Sequence, residues 1–370
     1  MGDGNPILVE NLDYNHIKSA IVDEISKAAN KQSSSLKYIK HTLPKEPLIQ
    51  SGITQGLVIG GTNYIAKTVQ IKDSVHIKAF DSKVGSLPIF ATRNDLIDFL
   101  KLHLDSRAEA IGVNFGFTLK PTKSKEGYMD GFVRSQGTKG HTFIGVDETI
   151  GTIVRDTFKK QFGRDIPVVV ANDVISIMLS GSKRCNASII VGTGCNAGLR
   201  IATDFGDELI NLEAGGLNTF PKPNSLKAID LQSKNPGKKL WEKMMSGKYL
   251  VEHFNYLIQE HNIQTPALQT SLELSAAAHK SDNKIAQELA RKLIERSARM
   301  TAALIAAMYT YVDCPENFDT FGDGSVFWNA WNFQQIVKNQ LKMFEIPEKN
   351  IKIKRIEDIG ITGALGLLTQ

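Results

Sequence analysis

Cysteine is scarce in this chain. There are three, Cys185, Cys195 and Cys314. They form no disulfide framework and no spacing that would hold a metal, so a reduced, cytoplasmic setting is expected. Long apolar runs are missing too, which excludes a bilayer-spanning helix. The longest helical candidate, Ser281 to Thr310, is interrupted by Arg291, Lys292, Glu295, Arg296 and Arg299. Asp3, Glu10 and Asp13 break up any apolar stretch of a signal peptide. A strong excess of one charge is also lacking: 44 basic residues face 39 acidic ones, for a net +5. That balance is too mild and too dispersed for a nucleic-acid binder. The lysines near residues 120–125 and 352–354 read as solvated faces or a weak attraction for an anionic substrate. Neither G-x-x-x-x-G-K-[ST] nor a helix-opening G-x-G-x-x-G occurs, so the usual P-loop and Rossmann signatures are absent.

What is present is a globular α/β pattern. Hydrophobic residues make up 42% and charged residues 22%, and 370 residues suffice for two domains. The chain is organised around Val168-Val169-Val170-Ala171-Asn172-Asp173. The β-branched run reads as a buried strand, and helix-competent sequence follows from Val174 to Ser180. Ligands of open α/β sheets sit outside the carboxyl ends of strands. An Asp placed there can accept a proton from a bound hydroxyl.

Before that strand, periodicity predicts a helix over Tyr14–Lys31 and a linker over Thr42–Gly56. Strands are expected at Leu57–Ile59, Tyr64–Ile71, Val75–Phe80 and Ala110–Phe117. Asn94–His103 reads as a helix with Asn94 as N-cap. Residues 118–141 read as a polar loop and Val146–Phe162 as a helix. After Asp173 the pattern restarts, with strands at Ala187–Val191 and Ala197–Thr203 about the turn Gly192-Thr193-Gly194-Cys195-Asn196. Helices follow at Leu240–Gln259 and Ser281–Thr310. In the latter, Ile285, Leu289, Leu293, Met300 and Leu304 fall on or near one face. Asp319–Phe327 reads as a strand end with a turn, and Gly360-Ile361-Thr362-Gly363 as a glycine turn opening a short helix. Two strand–glycine turn–strand units one domain length apart imply an internal duplication.

A glycine turn after a strand lets backbone N–H groups approach phosphate oxygens, because no Cβ intervenes. Thr62, Asn63 and Thr193 can add donors. One such turn alone is more often only a hairpin. Gly60-Gly61-Thr62-Asn63, Gly192-Thr193-Gly194 and a third at Gly322–Ser325 together point to a nucleotide. Asn172-Asp173, Thr138-Lys139-Gly140, Glu213 and Glu242 are each weak signals in isolation. Their order along the chain gives them weight.

In that order the segments resemble the hexokinase family, of the eukaryotic hexokinase and glucokinase type. Gly60-Gly61-Thr62-Asn63 and Gly192-Thr193-Gly194-Cys195-Asn196-Ala197 resemble its two phosphate motifs. Thr138-Lys139-Gly140 and Asn172-Asp173 resemble its sugar-contact and catalytic pairs. Asn211-Leu212-Glu213-Ala214-Gly215 is similar to the family's Asn-Thr-Glu-Trp-Gly, and Trp241 to Leu250 to its Glu-Lys-Met-Ile-Ser-Gly helix. Glu295-Arg296-Ser297-Ala298 and Asp323-Gly324-Ser325-Val326 match in order.

The resemblance implies an actin-like, ribonuclease H-like duplicated α/β fold, with two domains around a cleft. The boundaries expected are residues 1–55 for an N-terminal helix and linker, 56–171 for a small α/β domain and 172–370 for a large one. It implies ATP-dependent phosphorylation of a hexose, with Mg2+ accompanying ATP. Nucleic-acid and membrane partners are not expected. Asp173 would be the general base, and Lys139 is grouped with it as catalytic. Thr138, Lys139, Asn172, Asp173, Asn196, Glu213 and Glu242 would hold the sugar. Gly61, Thr62, Asn63, Gly192, Thr193 and Gly194 would hold phosphates, and Gly324 and Ser325 would lie by the nucleoside. No protein ligand to the metal is assigned.

Three positions depart from the family. Val58 stands where it has an Asp that organises magnesium through water, and Ile65 where it has an Arg. Gly116-Phe117-Thr118 replaces its Ser-Phe-Pro. Two classes therefore stay open: an active hexose kinase with a changed metal shell, and a sugar-binding sensor or pseudokinase that keeps the pocket.

Overall fold

The computed structural model describes residues 9, 11–42, 46–133, 148–180, 185–204 and 206–369. The chain begins with α1 (Tyr14–Ala29), β1 (Ile39–Thr42), β2 (Gly52–Ile59), β3 (Asn63–Lys72), β4 (Val75–Ser86) and α2 (Arg93–His103). It continues with β5 (Ala110–Phe115), β6 (Leu119–Lys123), β7 (Met129–Val133), α3 (Ile150–Phe162), β8 (Val168–Asn172) and α4 (Asp173–Met178). Then come β9 (Cys185–Val191), β10 (Cys195–Thr203), β11 (Gly206–Asn211), α5 (Asn224–Gln232), α6 (Leu240–Met245), α7 (Gly247–Glu260) and α8 (Ser271–His279). The last elements are α9 (Lys284–Tyr311), β12 (Phe318–Asp323), α10 (Ser325–Asn329), α11 (Phe333–Met343), β13 (Ile351–Lys354) and α12 (Ile359–Thr369).

One sheet has the order β4-β3-β2-β5-β8 and a second β1-β11-β10-β9-β12-β13. Without β1, the second repeats the first: three consecutive strands in reversed order, then the fourth and fifth beyond the first. This repetition is the duplication expected from the paired glycine turns. In the first sheet β2 and β3 are antiparallel, whereas β2, β5 and β8 run parallel. Strands β5 and β8 are buried along their whole length, which is why they read as continuous apolar runs.

The chain groups into two compact units. One comprises Met1–Tyr38, Ile189–Ala197 and Leu212–Lys354; the other comprises Ile39–Ser188, Gly198–Asn211 and Arg355–Gln370. Both are discontinuous in sequence, unlike the single cuts expected after residues 55 and 171.

Local chemistry explains where elements depart from expectation. Helix α2 starts earlier, because Thr92 and not Asn94 is the N-cap and forms a capping box with Asp95. Part of the expected loop 118–141 is the hairpin β6–β7, turned by Gly127 at φ +89°. Asp130 on β7 accepts the N–H groups of Gly131 and Gly151 at 2.8 Å each, and the Thr149 hydroxyl. Burial pushes its carboxyl above the usual range. Thr149 caps α3, so Asp130 fastens β7 to the start of α3. Residues 146–147, expected to open that helix, lie outside the described residues.

The expected helix 240–259 is broken at Ser246, whose backbone is extended at φ −81°, ψ 156°. In α9 Leu289, Leu293, Met300 and Leu304 are buried as expected, while Ile285 is exposed. The glycines expected in a turn at 360–363 lie inside α12. Its close packing explains this: a Cβ at Gly363 would sit 2.3 Å from the Ser176 carbonyl oxygen.

Candidate functional site

In the unit containing β2, β5 and β8, the parallel register aligns Ile59, Phe115 and Asn172 at the carboxyl edge. Gly61, Thr62 and Asn63 lie exposed just beyond β2. Their turn is closed by the Gly60 N–H donating to the Asn63 carbonyl at 3.1 Å and braced by Leu87 N–H on the Thr62 carbonyl at 2.7 Å. Gly116, just beyond β5, lies against this turn: a Cβ there would be 3.0 Å from the Gly60 Cα. The family's serine at this position would press on the turn as it stands here.

Asn172 is buried, and its amide donates to the Phe117 carbonyl at 3.3 Å, which ties β8 to the end of β5. Asp173 follows as the first residue of α4 and is half-buried. One of its carboxylate oxygens accepts the Val174 N–H at 2.8 Å, which fixes its direction at the strand edge. Val58 pairs with Ile65 and Asn114, and its methyls lie 3.5–3.6 Å from where a Cβ on Gly360 would stand. An apolar side chain thus packs beside the start of α12 at the position where the family's Asp would stand. Thr138 and Lys139 lie outside the described residues.

The other unit holds the second glycine turn. Gly192 N–H donates to the Gly194 carbonyl at 2.9 Å, and the Gly192 carbonyl accepts the Gly247 N–H at 2.8 Å. That second bond accounts for the helix break at Ser246: the new start of α7 supplies a donor to the turn. Gly324 closes the group from the end of β12. Its φ is +101°, and a Cβ there would lie 2.3 Å from the Val191 carbonyl oxygen, so only glycine fits. Thr193 and Ser325 remain exposed beside this crowded backbone. Burial raises the Asp323 carboxyl, partly offset by a Gly324 N–H bond.

One residue past the turn, Asn196 accepts the N–H groups of Ala197 at 2.8 Å and Ala214 at 3.0 Å. It therefore anchors the short 3-10 turn Ala214–Gly216, before which Glu213 sits at φ +49°. Left-handed backbone at a non-glycine residue is uncommon and gathers at functional sites. Glu242, on α6, is buried with 5% exposure. A Cβ on Gly194 would stand 2.9 Å from its Oε2, so the glycine makes room for the carboxylate. Burial pushes the Glu242 carboxyl up, and Lys239 and the Cys195 N–H oppose this, while Glu213 adds to it. The Cys195 thiol beside it is raised well above its ordinary range, by burial first and by the Glu242 charge second.

Asn196, Glu213 and Glu242 thus meet around the turn that carries Gly192, Thr193 and Gly194, with Gly324 and Ser325 against its rear. Gly61, Thr62, Asn63, Asn172 and Asp173 form a second group at their own sheet edge. Two participants were missed in the sequence. Gly247 was signalled by Ser-Gly inside a helical pattern. Lys239 had only its place three residues before Glu242.

The fold is that of the actin-like ATPases, with duplicated sheets. Hexokinase from Schistosoma mansoni, solved with glucose, superposes with a TM-score of 0.78 at 20% identity, covering 96% of this chain and 94% of that one. Balamuthia mandrillaris glucokinase, solved with glucose, gives 0.58 at 13% identity, over 97% and 100%. Hexokinase-2 of Oryza sativa subsp. japonica is 29% identical over 241 residues, 55% of this chain and 47% of its own length. Human Hexokinase-2 is 28% identical over 227 residues, 53% of this chain and 24% of its own. The matches therefore span about half or less of these relatives. The hexokinase family model matches residues 186–262 and 257–368. The chain belongs to the hexokinase family.

Proposed function

We propose that this protein is an ATP-dependent hexose kinase acting on glucose or a close relative, with Asp173 as general base. The observation that carries the reading is the group Asn196, Glu213 and Glu242 gathered around a glycine turn. Hydroxyl-reading side chains stand there next to backbone suited to phosphate. The glucose named with the Schistosoma and Balamuthia structures supports the choice of sugar.

In this reading Asn196, Glu213 and Glu242 orient the sugar through directional hydrogen bonds. Asn172 contributes mainly by fixing the strand edge, and Thr138 and Lys139 belong to the same set by family order. Asp173 takes the proton of the reacting hydroxyl as its oxygen bonds to the γ-phosphorus and the bond to ADP breaks. Gly61, Thr62, Asn63, Gly192, Thr193 and Gly194 hold phosphates, with Gly324 and Ser325 toward the nucleoside. No three His, Cys, Asp or Glu side chains among the described residues gather to hold an ion. By family resemblance magnesium would accompany ATP as part of the nucleotide substrate. The scarcity of cysteine, three in 370 residues, supports a reducing, cytoplasmic setting.

The test couples ADP release to a panel of hexoses, with calorimetry of the same sugars. Asp173→Asn keeps the shape of the side chain and removes its charge. Turnover should fall by about 10²–10⁴-fold with little change in sugar affinity. Near-wild-type turnover would reassign the base. Val58 favours a second reading, a sugar sensor. Hexose binding without ADP release would select it, and absence of both would end the hexose reading.

A further inference from the structure

Lys239 occupies a place its own helix does not favour. It is the residue before α6, where Ser, Thr, Asn or Asp would cap the first N–H groups and a cation opposes the helix dipole. It makes no side-chain cap bond, and its backbone is left-handed at φ +53°, ψ +43°. Its ammonium instead lies 3.9 Å from Oε2 of the buried Glu242, with Lys239 one-third exposed and Glu242 almost enclosed.

The other groups facing Glu242 do not replace this partner. Glu213, before the 3-10 turn, is a like charge that disfavours the carboxylate, and Cys195 on β10 offers its backbone N–H. Lys248 on α7 acts more weakly, and Tyr249 is a phenol pushed up to about 12 by burial and by Glu242 itself. A buried carboxylate without a nearby cation takes up a proton. A protonated Glu242 loses acceptor capacity toward hydroxyls.

We propose that Lys239 is a positioning residue of the sugar site, holding Glu242 charged and aimed so that it accepts hydrogen bonds from hexose hydroxyls. This rests on the hexose reading above. It assigns Lys239 no contact with sugar or phosphate.

Lys239→Gly removes the cation and suits the left-handed backbone, so the fold is kept; Lys239→Arg restores the charge. The first measurement is a ¹³C NMR pH titration of glutamate carboxyls, with the Glu242 signal identified by Glu242→Gln. The Glu242 midpoint should rise by about one pH unit or more in Lys239→Gly and stay near wild type in Lys239→Arg. Glucose calorimetry is the second measurement. Affinity of Lys239→Gly should fall about tenfold at pH 6 and under about threefold at pH 8, because alkali restores the carboxylate. In turnover assays KM should rise at pH 6 while kcat holds.

A Glu242 midpoint unmoved in Lys239→Gly overturns the proposal, as does an equal affinity loss at both pH values. If wild type binds no hexose, the sugar reading fails and the role in sugar binding falls with it. The NMR titration still decides whether Lys239 governs the Glu242 charge.

Discussion

Gly324→Ala should damage the second glycine turn through the fold and not through a lost contact. Gly324 has φ +101° and ψ 146°, a region that side chains avoid at a cost of about 1–3 kcal/mol. The added Cβ would also stand 2.3 Å from the Val191 carbonyl oxygen, 2.4 Å from its carbon and 2.8 Å from the Gly192 nitrogen. These are backbone atoms, so no flexible side chain can swing aside. Overpacking of that kind costs a further 1–3 kcal/mol or so, giving about 4 kcal/mol in all. A folding unit of 150–250 residues loses about 2–4 °C of Tm per kcal/mol, so the melt should fall by roughly 8–16 °C. Gly61→Ala is the contrast: a Cβ there meets nothing within 4 Å. Its stability should stay within about 0.5 kcal/mol of wild type. Its affinity for a non-hydrolysable ATP analogue should drop about tenfold, because the methyl takes the space a phosphate would approach. Calorimetric melts and analogue titrations on both variants are the assay. A Gly324→Ala protein melting within about 2 °C of wild type would refute the reasoning, since the crowded backbone would then have relaxed at little cost.

Two other outcomes follow from buried or missing charges. His41 is 5% exposed, and burial lowers it from 6.5 to about 4. The unfolded chain therefore takes up this proton first, so stability falls as pH drops through 6.5 and levels off below about 4. Roughly 2 kcal/mol should be lost between pH 7 and 5, and His41→Gln should flatten that part of the urea-denaturation profile. Val58→Asp puts a carboxylate beside the Asn114 amide and the first turn of α12, whose N-terminus favours an anion. Turnover should rise and half-saturating magnesium should fall; unchanged values on both counts would show that the nucleotide's own oxygens suffice.

The sequence was most readable where one interaction dominates. A run of valines followed by Asn172-Asp173 gives β8 and the start of α4 almost to the residue, because both faces of that strand are buried. The duplication was visible because each glycine turn follows an apolar strand. Reading failed where a distant partner overrides local preference. Apolar periodicity continues through Ser246 and Gly247, whereas the Gly247 N–H leaves the helical ladder for the Gly192 carbonyl. Pro121 and short strands hid the β6–β7 hairpin. Around Lys239, which follows Gly237 and Lys238, nothing local marks the buried carboxylate three residues on.

The Asp130 clasp has a consequence for how this protein can be altered. Its carboxylate joins Gly131 and Gly151 N–H groups and the Thr149 hydroxyl, so β7 and the entry of α3 are held together by residues on either side of 134–147. The described residues on both sides of the stretch carrying Thr138 and Lys139 thus share one buried anchor. A change at Asp130 therefore acts on both sides at once: Asp130→Ala would leave the Gly151 N–H and the Thr149 hydroxyl without this acceptor and loosen β7 and α3 together.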